Sequence, residues 1–94
     1  MRTVWKEIHR VTDGPFAVKG RPLHVEWSEQ GRALMIWSLV ERETQDSEPV
    51  STRCSVFGTG HEIPDGWPVH LGTVIDHDSG FYPLVWHVFA EAAG

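Results

Sequence analysis

The chain has a single cysteine, Cys54, in 94 residues. This excludes an intramolecular disulfide, and with it the stapled scaffold of many small secreted domains. No apolar run is long enough to span a bilayer, and residues 1–7 lack the hydrophobic stretch of a signal peptide, so no membrane association and a cytoplasmic location are expected. Positive charge is also scarce. Eight Lys and Arg stand against 13 Asp and Glu, for a net charge of -5, which argues against a protein that binds nucleic acid through its phosphates. No ten-residue segment has the apolar period of an amphipathic helix. The motifs of familiar chemistry are missing as well: no Cys-x-x-Cys, no His-x-x-x-His and no Gly-x-Ser-x-Gly. No catalytic residue, metal ligand or cofactor is therefore assigned from local spacing.

What is present reads as strands. Alternating or continuous apolar residues predict strands over 3–8, 16–19, 23–28, 33–40, 50–57, 70–75 and 81–89. Segment 33–40 is almost wholly apolar and is expected to be the central strand, buried on both faces. Turn signals separate the strands at Asp13-Gly14-Pro15, Gly20-Arg21-Pro22, Ser28 to Arg32 and Asp76 to Gly80. The acidic segment 41–48 is expected to be a solvated loop. The fold class is all-β: a single small antiparallel sandwich or partly open barrel of about six or seven short strands, one domain over residues 1–94. Exposed strand edges invite self-association, so a homo-oligomer is expected.

The most informative segment is the connection from Phe57 to Trp67, Phe-Gly-Thr-Gly-His-Glu-Ile-Pro-Asp-Gly-Trp. It is too irregular for a ladder and too rich in aromatic and ionisable groups for a spacer. Gly58-Thr59-Gly60 resembles the start of a phosphate-cradling loop but lacks the lysine and the following helix, so a bulge or tight turn is the simpler role. Glu62 and Asp65 flank Ile63-Pro64, and a solvated bend at Asp65-Gly66 accounts for them. Trp67 belongs to the core only if its loop folds back; on a surface it is an anchor for a ligand or partner. Trp37, Phe57, Trp86 and Phe89 lie in strands and are expected in the core, while Trp5 and Trp27 are ambiguous. Cys54 alternates in phase with Val50 and Val56 and is expected to be a buried, inert thiol. Six histidines are scattered, with His61, His70 and His87 available to meet only through strand pairing.

Gly58-Thr59-Gly60-His61-Glu62-Ile63-Pro64, Leu71-Gly72-Thr73 and Val85-Trp86-His87-Val88-Phe89, with Val4-Trp5-Lys6 at the start, carry a resemblance. The chain is similar to a family of small uncharacterised bacteriophage and prophage proteins, particularly those of actinobacteria. That resemblance implies a phage origin and a compact domain without an assigned activity, and it brings no catalytic residues. The expected function is that of a non-enzymatic phage accessory protein. It would bind a host protein, in counter-defence for example, or a small-molecule ligand, in the cytoplasm of the host cell. The expected contact residues are Gly58, Thr59, Gly60, His61, Glu62, Asp65, Trp67 and His87. Two alternatives stand beside this reading: a structural or decoration component of the virion, and a small hydrolase using histidines and carboxylates around the Gly60 to Trp67 connection.

Overall fold

Seven antiparallel strands make up the computed structural model, which describes residues 1–44 and 46–92. They are β1 (Arg2–His9), β2 (Phe16–Lys19), β3 (Arg21–Ser28), β4 (Ala33–Glu41), β5 (Ser51–Gly58), β6 (Val69–Asp76) and β7 (Leu84–Ala90). One sheet has three strands in the order β1-β4-β3; the other has four in the order β2-β5-β7-β6. The sheets form a sandwich and do not close into a barrel. Gln45 of the acidic segment, and Ala93 and Gly94 of the tail, lie outside the described residues. No described helix is long and apolar enough to cross a membrane.

The core follows from strand periodicity. In β4, Leu34, Ile36, Ser38 and Val40 point inward and are almost fully buried. Leu34 and Ile36 meet Val18, Val25, Cys54, Val74, Val88 and Ala90, with Phe16, Trp27, Val56, Leu71 and Trp86 packed around them. Removing each large apolar side chain from water contributes about 1.5–3 kcal/mol, which is how a domain this small offsets its chain entropy.

The seams between the sheets differ. β3 and β6 approach face to face at Val25 and Gly72, where only a glycine leaves room. β1 and β2 are joined through Glu7: its carboxylate accepts the Lys19 backbone N–H at 2.7 Å and lies 3.1 Å from His9 Nε2. The His9 ring also stacks on Phe16. The ladders break register at Leu23 in β3 and at Leu71 in β6, two bulges on the strands that face each other across the first seam.

Several expectations need correction. β4 is central to its sheet, but only one face is fully buried; Met35, Trp37 and Leu39 on the other are half-exposed, since no described strand packs over that face. The last strand begins at Leu84 rather than Phe81. The Ser79 hydroxyl donates to the Tyr82 carbonyl at 2.8 Å, which holds residues 79–82 in a turn, and Pro83 has no N–H to add to a ladder. Phe57 and Phe89 are not core residues. Their register partners, His87 and Ser55 on neighbouring strands, place them on the outer face of the four-stranded sheet.

Candidate functional site

The outer face of the four-stranded sheet collects the side chains of interest. Two β5–β7 pairs, Phe57 with His87 and Ser55 with Phe89, share this face, as do the β6–β7 pairs Thr73 with His87 and His70 with Phe89. A residue spacing of three would normally put His70 and Thr73 on opposite faces. The bulge at Leu71 inserts one extra residue and brings them to the same side.

A hydrogen-bonded row results. Thr59 Oγ1 lies 2.9 Å from His87 Nε2, His87 Nδ1 lies 3.0 Å from Thr73 Oγ1, and Thr73 Oγ1 lies 3.0 Å from His70 Nε2. Each hydroxyl has one proton, and each neutral imidazole one N–H, so the row has a direction. In one arrangement Thr59 O–H donates to His87, His87 Nδ1–H to Thr73, and Thr73 O–H to His70. The reversed arrangement satisfies the same four groups. Reversal exchanges donor for acceptor at the two ends, so the row can match either polarity in a partner.

Beside this row runs a chain of rings. His70 lies 5.1 Å from Phe89, Phe89 is edge-on to Phe57 at 5.9 Å, and Phe57 is edge-on to Trp67 at 6.3 Å. The Arg53 guanidinium sits over Trp67 at 5.7 Å, a cation–π contact. Trp67 therefore does fold back, but onto the outer face rather than into the core. Its half-burial beside Phe57 anchors the end of the 59–68 connection.

The start of that connection is a tight turn. The His61 N–H donates to the Gly58 carbonyl at 3.2 Å, and Gly60 has φ +88, the left-handed value that the third residue of a type II turn requires. The His61 ring lies against Gly58, so near that a Cβ there would stand 3.2 Å from its Cε1. Thus Gly58, Thr59, Gly60 and His61 form the turn at the Gly58 end of β5, where Thr59 reaches His87, while Trp67 joins the face farther along, against Phe57 and Arg53. Glu62 and Asp65 do not join them; both stay exposed on the connection, and among the described residues no hydrogen bond ties either to the row.

Sequence reasoning missed His70, Thr73, Arg53, Phe57 and Phe89 as site residues. Period two along β5 and β7 places 53, 55 and 57 with 85, 87 and 89 on one face, and that signal was available. The bulge that adds His70 was not. The remaining histidines lie elsewhere. His9 and His24 pair with Glu7 and Glu26 at 3.1 and 3.3 Å on the other sheet, and His77 sits in the turn after β6. Among the described residues, no three His, Cys, Asp or Glu side chains are grouped to hold a metal ion.

Among the described residues two clefts stand out on the surface, and neither is lined by the row. The larger, about 600 Å³, lies at the end of the sandwich between Pro22, Leu39, Val50, Val69, Leu71 and Ala90. The smaller, about 330 Å³, lies beside Trp5, Val40 and Arg42. No curated protein and no solved structure matches the chain. Over residues 1–94 it matches the family described as a domain of unknown function, DUF7352, and it is a member of that family.

Proposed function

We propose that this domain acts by binding rather than by catalysis, and that the outer face of its four-stranded sheet is the contact surface for a protein partner. The observation that carries this reading is the exposed row Thr59–His87–Thr73–His70, ordered by hydrogen bonds across a loop and two strands. Exposed polar pairs exchange protein bonds for water bonds and contribute little to folding. Stability of the sheet therefore does not account for the row. What the row provides is fixed donor and acceptor directions beside Phe89, Phe57 and Trp67. Aromatic anchors next to oriented polar groups are the usual make-up of an energetic centre at an interface.

The face is an open sheet surface, while both clefts lie away from it. That favours a protein surface over an enclosed small molecule. A hydrolase is supported less well. The histidines of the face partner threonines, and Glu62 and Asp65 are not placed to orient a histidine base. The net charge of -5 and the resemblance to bacteriophage proteins suit an accessory factor acting on a host protein in the cytoplasm, its acidic surface steering it toward a basic target.

Affinity for a protein captured from host lysate is the test. Thr73→Glu and Trp67→Ala are expected to weaken it by about tenfold or more, each tenfold being about 1.4 kcal/mol, whereas Phe81→Ser, at the far turn, leaves it unchanged. A partner indifferent to Thr73→Glu and Trp67→Ala contradicts the assignment.

A further inference from the structure

The two ends of the sandwich are complementary. β6 runs from Val69 to Asp76 and β7 returns from Leu84 to Ala90, so the 77–83 turn lies at one end and the 600 Å³ cleft at the other. At the turn, Phe81 is fully exposed and Tyr82 is 81% exposed. These aromatics do not hang from a loose loop. The Arg32 guanidinium donates to Asp76 Oδ2 at 3.0 Å, the Asp78 N–H donates to Asp76 Oδ1 at 3.0 Å, and Ser79 O–H donates to the Tyr82 carbonyl. The Asp76 carboxylate is buried at the base of this arrangement. The turn thus holds two large apolar rings in water on an ordered support, where ordering costs entropy and no burial returns it.

The cleft offers what those rings lack. Its lining is mainly apolar, and its volume accommodates two aromatic side chains. The charges agree too. Of the ionised groups at its rim, Glu41 is paired with Arg2 at 3.4 Å and Glu91 Oε1 accepts the Arg53 N–H at 2.9 Å. Arg21 has no ion pair among the described residues, and the exposed Asp78 stands three residues before Phe81 at the turn.

We propose that copies of this chain associate head to tail, the Phe81–Tyr82 turn of one copy seated in the cleft at the opposite end of the next, with Asp78 against Arg21. Such a contact joins two different surfaces, so it does not close on itself in a dimer; it propagates into a ring or an open filament. The contact is small, which predicts association that depends strongly on concentration. It uses none of the residues of the binding row, so either reading can fail without the other.

Sedimentation velocity from micromolar to near-millimolar protein tests it. The wild type is expected to gain mass progressively, and Phe81→Ser/Tyr82→Ser and Val50→Glu are each expected to lose that gain. Near-ultraviolet circular dichroism establishes that both variants are folded. Mixing them is the decisive arm: the intact cleft of the first accepts the intact turn of the second, giving a 1:1 complex and nothing larger. Arg21→Glu, a variant on an exposed side chain, supplies a second route; it is expected to weaken association, and adding Asp78→Lys to restore it. A wild type that stays monomeric throughout, a turn variant that associates like the wild type, or a mixture that fails to pair would each overturn the proposal.

Discussion

Gly72 and Val25 meet so closely across the seam between β6 and β3 that a Cβ on the glycine would stand 2.6 Å from Val25 Cγ1. Val25 is a stiff, buried β-branched side chain and Gly72 is held in its ladder, so relieving the contact requires a strained Val25 rotamer or a shift of a strand. Gly72→Ala is expected to destabilise the domain by about 1–3 kcal/mol, as overpacking does. In a Val25→Ala background the added methyl has space, so the two changes together should cost less than their sum. Urea unfolding of the four proteins in this cycle measures the coupling. Strict additivity would mean that the seam is looser than its geometry.

Arg32 has φ +50, a left-handed conformation for a residue with a side chain, and its guanidinium is bonded to the buried Asp76 carboxylate. Arg32→Ala removes the bond and keeps the backbone strain; about 1–3 kcal/mol is expected, in the range for a hydrogen bond to a charged group. Arg32→Gly loses the same bond but relieves the strain, so it should be the milder change by up to about 1 kcal/mol. Thermal or urea unfolding ranks the two. The reverse ranking would contradict a strained turn.

Cys54 is buried in the core, and burial, followed by the negative charges of Glu91 and Glu7, pushes its thiol from the ordinary 9.0 up to about 12. An unfolded chain loses this proton near pH 9 while the folded chain keeps it. Between about pH 9 and 12 the unfolded state therefore binds fewer protons, and stability falls as pH rises through that window. Compared with Cys54→Ala, the wild type should show the steeper loss of urea midpoint above pH 9. Iodoacetamide should label Cys54 only after unfolding; rapid labelling of the native protein would place the thiol at the surface.

The sequence made the strands legible because alternation is a local signal: Val25 and Trp27 against His24 and Glu26 already define the two faces of β3. Local order also fixed the turn at Gly58 to His61. What it did not reveal is partnership. β5 pairs with β7 and leaves β6 at the edge, so Thr59 meets His87 across 28 residues of chain, a contact that no spacing rule supplies. The site residue His70 was hidden for a second reason, since the bulge at Leu71 reverses the side to which it points. Phe57 and Phe89 were read as core because aromatics in strands generally are. Their place on the outer face, half-buried, follows from which face of this sheet meets the other sheet, a property of the whole fold.

Thr73 is the bridging member of the exposed row, its hydroxyl lying 3.0 Å from a ring nitrogen of both His70 and His87. Thr73→Val keeps the shape and removes the bridge. Stability is expected to change by no more than about 0.5 kcal/mol, as at other exposed positions. The nitrogen resonances of both imidazoles should move, and partner affinity should fall by about tenfold, or 1.4 kcal/mol. A large stability loss with unchanged affinity would make the row structural.

The most direct measurement of the central claim is photo-crosslinking in host cells, with a photoreactive residue replacing Thr73 on the outer face of the four-stranded sheet or Val4 on the outer face of the other sheet. Both positions are exposed, so reactivity alone does not distinguish them. A discrete adduct with one host protein from position 73, and not from position 4, is the predicted result. No adduct at 73, or the same adduct from both positions, would contradict the assignment of that face as the binding surface.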